Sequence, residues 1–194
     1  SESDIRDQAL SSYQKCIKLY AELNDSSNLA KTYLLCGNLY GKLHNIPQAL
    51  NSYSKARLLD EQTNNKTGAR YLFNSIGIMY KNNNDLSNAL NNFQRSLLLS
   101  QRMSDTTWTV GLLCNIADIY REQNDMEMAL EYNIKALQLS EMEKENLDRS
   151  TAYRSMAQTY FKLKNYSKKM LVSIFLQHGS LTYDKEEIKG NIFY

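Results

Sequence analysis

Tyrosines at 40, 80, 120 and 160 stand 40 residues apart without drift, and no other feature of this 194-residue chain constrains its fold as strongly. Other columns keep the same register. Three residues before each tyrosine is a small residue, namely Gly37, Gly77, Ala117 and Ala157, preceded by Cys36, Ile76, Ile116 and Met156. Seven residues before it stand Tyr33, Phe73, Leu113 and Tyr153. Nine after it come Ala49, Ala89 and Ala129, then Lys169, each followed by Leu50, Leu90, Leu130 or Met170. Columns held in register over several periods are the signature of a repeat array, in which each unit buries its apolar face against its neighbours.

The spacing inside a period is helical. Positions 33, 36, 37 and 40 are related as i, i+3, i+4 and i+7, one stripe of an α-helix. Ala49, Leu50, Tyr53, Ala56 and Leu59 form a second such stripe. Each period therefore predicts two antiparallel helices of about 16 residues. Between them Asn45, Asp85, Asp125 and Asn165 sit where the second helix needs an N-cap. Asn84 and Asn124, one residue earlier, tolerate the left-handed conformation of a tight turn. Polar links at 24–26, 64–66 and 104–106 lead to the next period. The small residues at 37, 77, 117 and 157 predict close approach of the paired helix, with the aromatic column filling the space they leave.

One proline and seven glycines are too few for a turn-rich β fold, which agrees with an all-α reading. The pattern aromatic-x2-aliphatic-Gly/Ala-x2-Tyr, followed by Ala-x3-aromatic on the next helix, resembles the tetratricopeptide repeat. It reads Tyr33, Cys36, Gly37 and Tyr40 with Ala49 and Tyr53, then Phe73, Ile76, Gly77 and Tyr80 with Ala89 and Phe93. The third copy keeps Leu113, Ile116, Ala117, Tyr120 and Ala129 but places Asn133 where the aromatic belongs. The period is 40 instead of 34 and the terminal proline is missing, as in the longer-helix variants of kinesin light chains and bacterial peptide-sensing regulators. The resemblance implies a right-handed α-solenoid of antiparallel helix pairs. It is expected over 1–194 as one array, with an orphan helix at 4–23, repeats at 27–63, 67–103, 107–143 and 147–179, and a truncated fifth repeat or capping tail at 180–194.

The ends carry two alternatives. Ala9, Tyr13, Cys16 and Leu19 match a second helix without its partner, and Phe193 lies 40 residues after Tyr153. The last second helix is degenerate at Lys169 and Ser173, though Leu171, Ile174 and Phe175 keep a stripe that Gly179 would end. Either these are capping units with a changed outer face, or the chain is a piece of a longer protein. The face around Ile5, Leu10 and Ile17 is then expected to support weak self-association.

Catalytic signatures are missing. His44 and His178 have no Cys or carboxylate neighbours at metal-ligand spacing, and His44 falls in a turn. No P-loop, GxGxxG or GxSxG occurs. No metal, cofactor or catalytic residue is therefore expected. The formal charge of +2 gives no global field toward nucleic acid, and Lys162, Lys164, Lys168 and Lys169 form a basic cluster without aromatic platforms. Apolar stretches fall short of the roughly 18 residues that cross a bilayer. Cys16, Cys36 and Cys114 form no CxxC and suit a reduced, cytoplasmic setting as small packing residues, with a periplasmic one left open.

What the packing stripe leaves over is the other side of each first helix, which the resemblance implies is the inner wall of a peptide-binding groove. Repeat one offers Lys31, Leu34, Leu35, Asn38 and Lys42, and repeat two Tyr71, Asn74, Ser75, Ile78 and Lys81. Repeat three offers Cys114, Asn115, Asp118 and Arg121, and repeat four Arg154, Ser155, Gln158 and Lys162. Side-chain amides at Asn38, Asn74 and Asn115 suit an extended backbone, since each both donates and accepts. Bases outnumber Asp118 in this set, which points to a protein or peptide bearing an acidic segment or a C-terminal carboxylate. The rival reading is a sensory or dimerisation segment of a larger bacterial signalling or transcription-regulatory protein.

Overall fold

The computed structural model describes residues 2–142 and 146–163. Eight helices and no strands are found among them. They are α1 (Glu2–Glu22), α2 (Ser26–Lys42), α3 (Ile46–Gln62), α4 (Lys66–Asn82), α5 (Leu86–Arg102), α6 (Thr106–Glu122), α7 (Met126–Met142) and α8 (Asn146–Leu163). The expectations placed on Asn165, Lys169, Ser173, His178, Gly179 and Phe193 lie outside the described residues.

The architecture is an all-α helical-repeat solenoid, and its punctuation is finer than the 40-residue period. A left-handed residue recurs every 20 positions, at Asn24, His44, Asn64, Asn84, Ser104 and Asn124, with φ between 51° and 64°. The following residue donates its backbone N–H five residues back, as Asn45 does to the Tyr40 carbonyl (2.9 Å) and Asp85 to that of Tyr80 (2.9 Å). That 6→1 bond closes each helix in a Schellman motif. The same residue then opens the next helix, since Asp25, Asn45, Asn65 and Asp85 accept from the backbone N–H three residues on. Asp125 does likewise for Met128. One three-residue link thus satisfies orphan groups on both helices. His44, expected in a turn, occupies the left-handed position, and its ring Nδ1 meets the Asn83 Oδ1 at 3.0 Å.

The small-residue columns act through close approach. A Cβ on Gly37 would lie 2.5 Å from ring carbons of Tyr53, and one on Gly77 would lie 2.7 Å from the Phe93 ring. The rings of α3 and α5 therefore rest directly on the backbones of α2 and α4, which only glycine permits. Tyr53 and Phe93 are fully buried there, and Ala49, Ala56 and Ala89 provide the low surface beside them. The tyrosine column packs too: Tyr120 stacks on Tyr132 with ring centroids 5.4 Å apart.

The chain divides into two compact units after Asp105. In the first, α2 pairs with α3 and α4 with α5, α1 lies on α2, and α4 packs on both α2 and α3. Tyr53, Ala56, Leu72 and Met79 form a shared core of those pairs. Within the α4–α5 pair Arg70, only 3% exposed, reaches the half-buried Asp105 carboxylate that follows α5 (2.5 Å). In the second unit α6 pairs with α7, and α8 packs on both. Ile116, Ile119, Leu112 and Val110 are completely enclosed.

Candidate protein-interaction site

The residues expected on the first-helix faces come to different ends. Lys31 on α2 and Arg154 on α8 are exposed, and Tyr71 on α4 is 39% exposed with the Arg70 guanidinium 5.4 Å from its ring centroid. Asn74 and Lys81 on α4 and Asn115 on α6 are half-buried and engaged with neighbouring groups. Asn38 contributes to packing, because its Oδ1 accepts from the Tyr53 hydroxyl at 2.9 Å.

Two expectations need correction. Cys114 and Ser155 do not line an open surface; they are 6% and 5% exposed. Because α8 packs on α6, this edge of each helix is enclosed, and the Cys114 thiol lies 3.9 Å from the Thr151 carbonyl. Burial pushes its pKa to about 12, so it is not a nucleophile at neutral pH. On α1 Ile5 and Leu19 are exposed, as is Leu23 just after it, whereas Leu10 and Ile17 are half-buried.

The structure gathers four of the expected residues into one network within the second unit. Arg121 donates to Asp118 Oδ1 (2.5 Å) and to Gln158 Oε1 (3.2 Å). Lys162 donates to the Arg121 backbone carbonyl (2.5 Å). The Arg121 guanidinium also reaches Thr159 Oγ1 (3.4 Å), which in turn accepts from Asn133 (2.8 Å). Sequence reasoning missed Asn133 and Thr159 as members of this site, although Asn133 is visible as a break in the aromatic column.

The first unit differs in chemistry. Along α2 and α4 there is no acidic residue, while Lys31, Lys42, Lys66 and Lys81 are all at least partly accessible. Between these charges, Leu35, Tyr71 and Ile78 are exposed at 38%, 39% and 42%. All three were among the residues expected on these faces, which therefore combine exposed apolar side chains with lysines.

Among the described residues no group of three His, Cys, Asp or Glu side chains is placed to hold a metal ion. Asp60 is buried and its pKa is raised by that burial, but its carboxylate accepts from Asn65 Nδ2 (2.7 Å) at a helix junction, a packing arrangement. No described helix is long and apolar enough to cross a membrane.

Repeated helix pairs joined by one turn design define a helical-repeat protein, and comparison with known proteins names the repeat. A tetratricopeptide repeat family model matches residues 108–168. That match covers about a third of the chain, from α6 onward, and identifies tetratricopeptide-type repeats there. No curated protein matches the sequence significantly. Among solved structures, BtubC (BKLC) from P. vanneervenii matches with a TM-score of 0.71 and 16% identity, over 94% of this chain and 78% of that one. A signal transduction ATPase with numerous domains from Pyrococcus horikoshii, which carries a tetratricopeptide repeat sensor, matches at 0.68 and 20% identity over 89% of this chain. This chain spans only 28% of that protein. The N-terminal domain of stress-induced protein 1 from C. elegans matches at 0.52 and 15% identity, over 68% of this chain and 97% of that domain. At these identities the likeness establishes the fold. Tetratricopeptide repeats generally mediate protein–protein interaction, and the fold is generally a non-catalytic scaffold.

Proposed function

We propose that this chain is a non-catalytic scaffold that captures a protein or peptide segment carrying acidic residues, using the first-helix faces of its repeats. The observation that carries this reading is the composition of α2 and α4, with four accessible lysines, no acidic residue, and exposed Leu35, Tyr71 and Ile78 among them. A segment that buries apolar side chains there while meeting the lysines with carboxylates gains both hydrophobic and charge-assisted contacts. In the second unit Arg154 is exposed, and Arg121 and Lys162, though bonded within the fold, each keep further donors. Asn74 and Asn115 contribute amides suited to an extended backbone.

A set of fluorescein-labelled 12-residue peptides of mixed acidic and apolar composition, each paired with its Asn/Gln counterpart, tests the reading by fluorescence anisotropy. Binding should favour the acidic member and weaken as salt is raised. The double variant Asn74→Ala with Asn115→Ala should bind about tenfold more weakly, a change of about 1.4 kcal/mol, with unchanged helicity by circular dichroism. Equal affinity in the double variant would remove these amides from the binding surface. Indifference to peptide charge would remove the acidic partner.

A further inference from the structure

Two columns of the repeat are apolar wherever the described structure shows them, except at one place. The residues at 53, 93 and 133 are Tyr, Phe and Asn; those at 39, 79, 119 and 159 are Leu, Met, Ile and Thr. Both polar exceptions, Asn133 on α7 and Thr159 on α8, are completely buried, and they bond to each other: Asn133 Nδ2 donates to Thr159 Oγ1 at 2.8 Å. Two departures from the repeat that meet in the core are coupled, and the coupling leads to a third residue.

A threonine hydroxyl has one donor and two acceptor positions. Thr159 uses all three, donating to the Ser155 carbonyl (3.1 Å) and accepting from Asn133 and from Arg121 Nη1 (3.4 Å). The Ser155 and Asn133 bonds leave one direction at Oγ1 for the guanidinium. Asp118 and Gln158 hold the other end, at Nη2. Lys162 fixes the backbone carbonyl of the same residue.

Repeat one shows what this replaces. Positions 38, 41, 53 and 79 correspond to 118, 121, 133 and 159. There the Tyr53 hydroxyl donates to Asn38, and a Cβ on Gly41 would lie 3.8 Å from that hydroxyl and 3.1 Å from Met79 Cγ. In repeat three the aromatic is shortened to Asn133, and the Arg121 guanidinium bonds Asp118 and Thr159, the counterparts of Asn38 and Met79. The exchange has a cost, because Asn133 Oδ1 is buried without a hydrogen-bond donor among the described residues. A local break of the repeat rule that lowers stability marks a position kept for another purpose.

We infer that Asn133 and Thr159 are positioning residues, which hold the Arg121 guanidinium in a fixed orientation so that a partner's carboxylate meets its remaining, already ordered N–H donors at Nε and Nη1. The inference deepens the acidic-partner reading and rests on it. Ordering the side chain before binding lowers the entropy lost on capture, and a planar guanidinium rewards orientation more than an ammonium does.

The test uses the full chain and two variants, Thr159→Val and the larger change Asn133→Leu, with Thr159→Ser as the conservative control. Arginine side-chain ¹⁵N–¹H spectra, with Arg121 assigned from Arg121→Lys, report guanidinium order without any ligand. Separate, slowly exchanging Nη signals are expected for Arg121 in the parent and in Thr159→Ser. They should collapse in Thr159→Val and Asn133→Leu, while the thermal midpoint of Asn133→Leu holds or rises. The acidic fluorescein peptide should then bind each collapsed variant about fivefold more weakly, the equivalent of one lost hydrogen bond. Unaltered Arg121 signals in both variants would overturn the positioning role whatever the peptide does. Collapsed signals with unaltered peptide affinity, also seen in Arg121→Gln, would instead overturn the use of Arg121 for acidic ligands, and with it the purpose assigned to the pair.

Discussion

Truncating Phe93 to alanine should destabilise the first unit by about 3–5 kcal/mol, among the largest single-site effects this chain can show. The ring is completely buried on α5 and lies against the backbone of α4 at Gly77, so nothing but its own edge fills that space. Helix backbones on both sides are fixed by the capped turns at Asn64–Asn65 and Asn84–Asp85, which limits collapse into the cavity. Urea denaturation followed by far-UV circular dichroism measures the loss as a lower midpoint. A shift below about 1 kcal/mol would mean that the α4–α5 contact is looser than described.

Gly37→Val should be nearly as damaging, for the opposite reason. Replacing glycine inside a helix ordinarily gains up to about 1 kcal/mol through reduced backbone freedom. At Gly37 the added Cβ alone would stand 2.5 Å from two Tyr53 ring carbons, and valine adds two further methyls. Overpacking of this kind costs about 1–3 kcal/mol or more and outweighs the propensity gain. Gly111 provides the internal contrast, since a Cβ there meets nothing within 4 Å. Gly111→Ala should therefore stabilise by about 0.5–1 kcal/mol in the same urea assay. Combining Gly37→Val with Tyr53→Ala should recover part of the combined loss, giving a favourable coupling term in the double-mutant cycle. Additive losses would show that residue 37 and the ring do not touch.

Both predictions concern columns already legible in the sequence. Gly37 with Tyr53 and Gly77 with Phe93 recur at a fixed offset, and a fixed offset on paired helices implies a contact. The N-caps Asn45, Asp85 and Asp125 and the left-handed Asn84 and Asn124 were legible for the same reason, because turn chemistry is local. The 20-residue spacing of the turns was hidden, since Asn24, His44 and Ser104 fill one backbone role with unlike side chains.

The faces of the first helices were less legible. Helical periodicity places Cys114 and Ser155 away from the tyrosine stripe, but a first helix in an array has neighbours on more than one side, and the α6–α8 contact encloses both residues. The network around Arg121 joins residues separated by up to 41 positions on three helices, so its existence depends on the packing itself. Only its trace, Asn133 in an aromatic column, appears in one dimension. Both Arg121 and Lys162 hold partners within the fold.

Site-specific photocrosslinking separates the first-helix faces from every other surface. The side chains at Lys31, Tyr71, Leu58 and Leu98 are replaced one at a time by p-benzoylphenylalanine, and each protein is irradiated with the acidic fluorescein peptide. Lys31 and Tyr71 lie on α2 and α4, whereas Leu58 and Leu98 are exposed apolar positions on α3 and α5, at 56% and 49%. Labelled adducts should form from positions 31 and 71, compete away with unlabelled peptide, and be missing from positions 58 and 98. Competable adducts from 58 and 98 with none from 31 and 71 would place the partner on the second helices and contradict the account.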